Sequence, residues 1–296
     1  MKNSKGDFEL ALRAVLGDGA PLSASSIQKL KAKWQTEYEE WRKEDLSGLK
    51  LVYQWADGIY VKAGLEKDKA ALLVIIGALS DGRKKLLACE SGYRESKESW
   101  SSVIRDLQNR GLKLGRLTIA NGNLGIWAAL RELHPEGDEQ RCWNYKITNV
   151  LDAMPKRIRA EAAEYLRKIP YAETKMRCEI QRDAFVARYK RDYPKAVEIL
   201  LRDWDRMVAF YNYPREHWVS IRAKNVVELP FATARLRTDA AKRFKKVMNA
   251  TAMIWKLLMV AEKNFRALNS PWLLEDVYSG KRYIDGEMIR EERSVA

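Results

Sequence analysis

The chain has little with which to build a covalent or metal-stapled scaffold. Its 296 residues include three cysteines and two histidines. Cys89, Cys142 and Cys178 are an odd number, far apart, and form no Cys-x-x-Cys pair, so a disulfide framework and a zinc site are both unsupported. His134 and His217 cannot complete a Cys/His ligand set. The longest apolar run, residues 70–79, is too short to span a bilayer, and the first seven residues carry no apolar signal segment. Neither an internal repeat nor a low-complexity tract is visible. These absences argue against a disulfide-rich secreted domain and a membrane-spanning chain, and the expectation is a soluble, cytoplasmic protein with no membrane partner.

Positive charge is abundant. Lys and Arg total 54 against 40 Asp and Glu, for a net charge of +14 and a pI near 9.6. A protein that neutralises nucleic-acid phosphates needs such an excess, whereas a small-molecule enzyme does not. The excess is also uneven: residues 233–266 hold nine basic side chains and two acids. Arg235, Arg237, Lys242, Arg243, Lys245 and Lys246 are the candidate DNA-phosphate contacts. The plainer reading of that run is a solvated helix face.

Two helical pieces are expected over residues 7–45. The first carries Phe8, Leu10, Leu12 and Val15; the second is opened by Ser25 or Ser26 as N-cap and carries Ile27, Leu30, Trp34, Tyr38 and Trp41 at helical spacing. From residue 50 the period changes. Residues 51–62, 70–79 and 84–89 read as strands, the last two joined by a hairpin at Ser80-Asp81-Gly82-Arg83. Trp100, Val103, Ile104 and Leu107 mark a helix, residues 114–120 a fourth strand, Ile126, Trp127 and Leu130 a second helix, and residues 139–143 a short fifth strand. That order predicts a mixed α/β sheet. Beyond Ile147 the pattern is helical to about Tyr211, and after a bend at Glu216-His217-Trp218 it is helical again, with Val247, Thr251, Ile254, Trp255, Leu258 and Met259 as a buried stripe. The divisions are a helical lead-in (1–49), a sheet core (50–146), an all-helical insertion (147–213) and C-terminal helices (214–296). The charged tail from Ile289 is expected to fray.

Three positions could carry chemistry. Asp57 falls in the first strand, which it is expected to end, Asn121 follows the fourth strand, and Glu228 lies in Asn225-Val226-Val227-Glu228. Ligands collect beyond strand carboxyl ends in α/β sheets. If strands one and four are neighbours, Asp57 and Asn121 share a pocket, and Glu228 reaches it from a packed helix. Carboxylates so placed can hold two Mg²⁺ ions for phosphoryl transfer. Each residue also has a structural reading: Asp57-Gly58 and Asn121-Gly122 are common turns, and Glu228 could cap a helix with Asn225. On spacing alone the structural readings prevail, because acids are plentiful.

The wording around these positions shifts the balance. Asp57-Gly58-Ile59-Tyr60-Val61-Lys62, Glu90-Ser91-Gly92-Tyr93-Arg94-Glu95-Ser96, Gly122-Asn123-Leu124-Gly125-Ile126-Trp127, Gln140-Arg141-Cys142-Trp143, Asn149-Val150-Leu151-Asp152, Glu216-His217-Trp218, Asn225-Val226-Val227-Glu228 and the run from Phe231 to Thr238 stand in order along the chain. In these stretches the chain resembles the Mutator-type transposases of bacterial insertion sequences, the IS256-like family, over nearly its whole length. The resemblance implies an RNase H-like core with an all-helical insertion, a triad at Asp57, Asn121 and Glu228 holding two Mg²⁺ (or Mn²⁺) ions, and cleavage of element ends followed by transfer of 3′ ends to target DNA. It further implies terminal inverted repeats and target DNA as partners, and a homo-oligomer. Cys142 and Tyr145 would lie near the site, and His217 with Trp218 would contact a flipped base or strand end, or else form a buried, hydrogen-bonded pair.

Three departures from the family pattern stand out. Asn121 replaces the second Asp, Tyr145 replaces a His, and the chain begins inside the usual reading frame, as if an N-terminal region that helps bind element ends were missing. An amide brings no charge to a hard cation, and phenol cannot serve as a near-neutral proton carrier. Weak holding of the second ion and impaired activity are therefore expected. The alternative is a non-catalytic DNA-binding or dimerising transposase remnant. Cys142 without its His partner reads as a packed core thiol.

Overall fold

The computed structural model describes residues 23–62, 69–92, 94–228, 230–231 and 247–289. The first expected helix, around Phe8–Val15, and the basic residues from Arg235 to Lys246 lie outside the described residues.

A five-stranded sheet organises the fold. Its strands are β1 (Leu51–Lys62), β2 (Lys69–Leu79), β3 (Lys84–Gly92), β4 (Leu117–Ala120) and β5 (Asp138–Arg141), in the order β3-β2-β1-β4-β5. The first three form an antiparallel meander, while β4 and β5 add on in parallel beside β1. The β2–β3 connection is the expected Asp-Gly turn: Gly82 takes φ +89°, and the Asp81 carboxylate accepts the Arg83 backbone N–H at 2.9 Å. Helix α1 (Ala24–Trp41) precedes the sheet, and the crossovers leading into the parallel strands β4 and β5 are made by α2 (Lys97–Asn109) and α3 (Leu124–Leu133). This is a mixed α/β architecture.

Both faces of the sheet are covered, so its strands read as near-continuous apolar runs with a hidden period of two. Along β2, Leu72, Val74, Ile76 and Ala78 enter one core, whereas Ala71, Leu73, Ile75 and Leu79 enter the other. The smaller core is closed by α2 and α3 through Trp100, Ile104, Leu107 and Trp127. The larger is closed by α1 and by the helical remainder. In α1, Trp34, Tyr38 and Trp41 are buried, and Tyr38 and Trp41 pack on Trp255 of the long helix 247–262. The Tyr38 hydroxyl donates to the Cys89 carbonyl at 2.7 Å, tying α1 to β3.

Several boundaries differ from the sequence reading, each for a local reason. Ser23, in extended conformation, caps α1 by accepting the Ser26 N–H, instead of Ser25 or Ser26. The fourth strand starts at Leu117, not 114, because the Gly115 N–H is taken by the Gln54 side chain at 3.0 Å rather than by a ladder. The fifth strand ends at Arg141; extended Cys142 then serves as N-cap and Trp143 opens α4 (Trp143–Asp152). Asp57 lies inside β1 and does not end it. The β1–β4 ladder stops at Ala56↔Ala120, and β1 runs on to Lys62 paired with β2. Asp57 is thus the first residue past the end of β4. A small hairpin, β6 (Tyr283–Ile284) and β7 (Glu287–Met288), turns on Asp285-Gly286, an Asp-Gly signal the sequence reading passed over.

The block after β5 is helical: α4, α5 (Lys156–Lys168), α6 (Lys175–Tyr189), α7 (Pro194–Leu201) and α8 (Trp204–Val208). Lys146 pins α4 to the end of α7. It is fully buried, and its Nζ donates to the Ile199 carbonyl at 2.7 Å and to that of Arg202, at a helix terminus where carbonyls lack intrahelical partners. Burial, then the neighbouring Arg141 charge, pushes the Lys146 ammonium down to about 7. The unfolded chain keeps that proton to about pH 10. Between these values the unfolded state binds more protons, so this group makes stability rise with pH. Melting of wild type against Lys146→Met from pH 7 to 9 should show the rise weakened in the variant; equal slopes would show that the buried amine stays charged.

Candidate active site

The site forms where β4 ends beside a β1 that continues. Asn121, the residue after β4, donates its Nδ2 to Asp57 Oδ1 at 3.3 Å and reaches Glu95 Oε2 at 3.5 Å. Its orientation is fixed by the backbone: Asn121 Oδ1 accepts the Asn123 N–H at 2.8 Å, and Asn123 in turn caps α3 by accepting the Gly125 N–H at 2.8 Å. Reversing the amide would set N–H against N–H. The amide nitrogen therefore faces the carboxylates, and its oxygen faces away.

Glu95 comes from the segment between β3 and α2, and the closeness of its approach explains a glycine. A Cβ at Gly58 would stand 2.5 Å from Glu95 Oε1. Burial foremost, then the Asp57 charge, raises the Glu95 carboxyl above its ordinary range, and the Tyr60 hydroxyl and Asn121 amide bond it. Tyr60 is in turn pushed up to about 12, chiefly by burial and by Glu95.

The second side of the site is a lysine. Lys224 Nζ lies 2.6 Å from Asp57 Oδ2, with the two side chains 1% and 3% exposed. The ammonium also sits 4.0 Å from the centre of the Tyr145 ring. Lys224 begins the helical turn that carries Glu228, whose N–H bonds the Lys224 carbonyl at 3.2 Å. Glu228 is half-buried, and among the described residues its carboxylate has no hydrogen-bond or ion-pair partner. The same segment is sewn to the start of α4: Trp143 N–H to Arg222 O at 3.0 Å, and Asn144 to Asn225 at 2.9 Å.

Of the positions singled out in the sequence, Asp57 and Asn121 are in contact, and Tyr145 and the Glu228 turn are joined to them through Lys224. Cys142 is fully buried; its N–H bonds the Ala120 carbonyl, and burial pushes its thiol up despite the N–H groups of Tyr145 and Lys224 that face it. His217 and Trp218 belong to the larger core. His217 is 0% exposed, with Nδ1 2.8 Å from the Tyr53 hydroxyl and Nε2 3.3 Å from the Ser270 carbonyl, and burial lowers its pKa. Trp218 donates to the Tyr213 carbonyl at 2.9 Å. These contacts match the buried alternative for the pair. Glu95 and Lys224 were not singled out. Glu95 lay in plain view within a matched stretch, but a Lys four residues before a Glu reads as an ordinary exposed helix pair, so Lys224 gave no signal.

The donor set does not suit two divalent ions in this arrangement. A hard cation wants oxygen ligands, but position 121 presents N–H, and an ammonium already neutralises one Asp57 oxygen. Among the described residues no three His, Cys, Asp or Glu side chains converge on a point.

Comparison with known proteins agrees with the sequence resemblance. The profile described as "Transposase, Mutator family" matches residues 11–267. The chain is similar to the transposase for insertion sequence element IS6120 of Mycolicibacterium smegmatis, 41% identical across 99% of this chain and 90% of that protein. It is also similar to the transposase for IST2 of Acidithiobacillus ferrooxidans, 37% identical across 93% of this chain and 94% of that one. At greater distance stands the transposase for IS256 in transposon Tn4001 of Staphylococcus aureus, 22% identical across 90% and 66%. The chain belongs to the Mutator family of insertion-sequence transposases.

The geometry at Asn121 yields a stability prediction. A carboxylate there would put a third negative charge within about 3.5 Å of two others, a repulsion of roughly 4 kcal/mol per pair at an effective dielectric near 20, which proton uptake would relieve in part. In chelated buffer Asn121→Asp should melt several degrees below wild type. An unchanged melting temperature would mean that the carboxylates do not face position 121.

Proposed function

We propose that this chain is a Mutator-type DNA transposase with an RNase H-like core, evolved to cut element ends and transfer 3′ ends to target DNA, and that this copy is impaired. The observation that carries the reading is the meeting of Asp57, inside β1, with Asn121, just past the end of the adjacent parallel strand β4, with the Glu228 turn attached to Asp57 through Lys224. A three-stranded antiparallel meander continued by two parallel strands supports the RNase H-like assignment. Asp57, Asn121 and Glu228 are the proposed triad, with Mg²⁺ or Mn²⁺ as the cofactor of the ancestral site. This chain's residues hold such ions poorly, for the reasons of charge and orientation given above.

Element ends and target DNA are the proposed partners, met by a homo-oligomer. Besides the basic residues 235–246, a groove of about 870 Å³ beside the site is suited to a DNA strand. It carries Arg167, Lys168 and Arg222, and the Arg222 guanidinium lies 3.7 Å above the ring of Tyr171, which is exposed at the surface. A basic groove with an open aromatic face fits a strand's phosphates and bases. The second reading, a DNA-binding remnant without catalysis, is favoured by the amide at position 121.

Both readings require DNA binding that weakens steeply with salt, and charge reversal at Arg167 and Lys168 should lower affinity and flatten the salt slope. Binding unaffected by salt would contradict both. On DNA bearing element ends, wild type with Mg²⁺ should nick orders of magnitude more slowly than the transposase for IS6120 on its own ends; equal rates would refute the impairment.

A further inference from the structure

We propose that Lys224 is a tethered cation that takes the place of a divalent metal ion, and that Asn121 and Lys224 together convert the site to a metal-independent state. The inference rests on the site assignment above, in that Asp57 is taken as the first acid, but its tests read ion binding and folding.

A buried carboxylate requires a compensating charge. Asp57 is buried in the interior of β1, against Glu95, another carboxylate whose ionisation burial opposes. Two carboxylates that both face the Asn121 amide nitrogen, at 3.3 and 3.5 Å, fold together only if a cation joins them or one is neutralised. In this structure the cation belongs to the protein. Lys224 Nζ touches Asp57 Oδ2 and lies near enough to Glu95 to stabilise its charge. The two paired atoms, Lys224 Nζ and Asp57 Oδ2, make no hydrogen bond among the described residues, so the ion contact and the Tyr145 ring are what hold the ammonium. An ammonium on a four-carbon stem is a compact point charge, delivered here to the oxygen that a metal ion would bind.

Asn121 completes the substitution from the other side. Its amide nitrogen donates to Asp57 Oδ1 and toward Glu95 Oε2. Asp57 thus meets a cation at one oxygen and a donor at the other, leaving neither free for a metal. With both features in place, the acids are satisfied in the absence of any divalent ion. Tyr145 belongs to the same arrangement: its aromatic face receives the ammonium, which a protonated imidazole could not do.

The consequence is a coupling between positions 121 and 224. Restoring Asp at 121 alone leaves Asp57 Oδ2 occupied by the ammonium. Removing the ammonium alone leaves an amide nitrogen facing the carboxylates. Only the double change presents oxygen atoms and net negative charge together. Lys224→Met is the suitable change, because it keeps the apolar stem that packs beside Tyr145 and removes only the charge.

The experiment measures Mn²⁺ binding by electron paramagnetic resonance, with thermal melts in chelator and in Mn²⁺, for wild type, Asn121→Asp, Lys224→Met and the double variant. Wild type should bind Mn²⁺ no better than Asp57→Asn, and its melting temperature should not respond to the ion. The double variant should bind at least tenfold more tightly than either single variant, with a melting temperature that rises on adding Mn²⁺. Specific Mn²⁺ binding by wild type that Asp57→Asn abolishes would overturn the proposal, as would a folded double variant with no gain. If Lys224→Met folds poorly, Lys224→Met/Asp57→Asn provides the check: it should melt higher than Lys224→Met in chelator, since the second change removes the stranded carboxylate. A lower melt for that pair would contradict the ion contact. None of these outcomes depends on DNA cleavage, so they separate from failure of the transposase reading.

Discussion

The ion pair between Asp57 and Lys224 is the contact around which the rest of the site is arranged. It joins the middle strand of the sheet to a segment more than 160 residues away, and that segment carries Glu228. Both partners are almost wholly buried. Removing one member of such a pair typically costs about 3–5 kcal/mol, because a charge is left without compensation, whereas replacing both by apolar groups can be neutral. The pair therefore fixes geometry more than it adds stability. It holds the Glu228 turn at the end of β4, while the hydrogen bonds of Trp143 and Asn144 hold the same segment from the α4 side.

The sheet topology makes this meeting possible. Because β4 is four residues long and β1 twelve, β1 continues past the ladder, and its next side chain faces an opening instead of a neighbouring strand. Gly58 lets the Glu95 segment close over that opening. On the far side, the helical block and the helix 247–262 share one continuous apolar core with the sheet face. Asp57 is consequently held by the sheet and Asn121 by its place directly after β4, and a change of charge at either is felt by the groups bonded to it.

Much of this was legible in the chain. The strands and the Asp81-Gly82 hairpin follow from apolar runs and turn chemistry, and β1 was bounded at the residues observed. Asp57 and Asn121 could be placed together only on the condition that strands one and four were neighbours, which the parallel ladder satisfies. The two partners that control the charge were not legible. Glu95 reaches the site because a loop packs on a glycine, a tertiary fact with no periodic signature. Lys224 looked like one more cation among 54, since sequence shows the spacing to Glu228 and hides the strand that the side chain meets. The ends of β4 and β5 were misjudged because Gln54 diverts one backbone group and Cys142 starts a helix.

In this account a chain of the Mutator transposase family has the acids of its proposed site neutralised from within. A crystal structure from Mn²⁺-soaked crystals, with anomalous scattering measured at the manganese edge, tests that claim most directly. The account predicts no manganese peak between Asp57 and Glu95, with the Lys224 ammonium still against Asp57 and the Asn121 amide nitrogen still facing both acids. A manganese peak bound by Asp57, with Lys224 swung away, would contradict it.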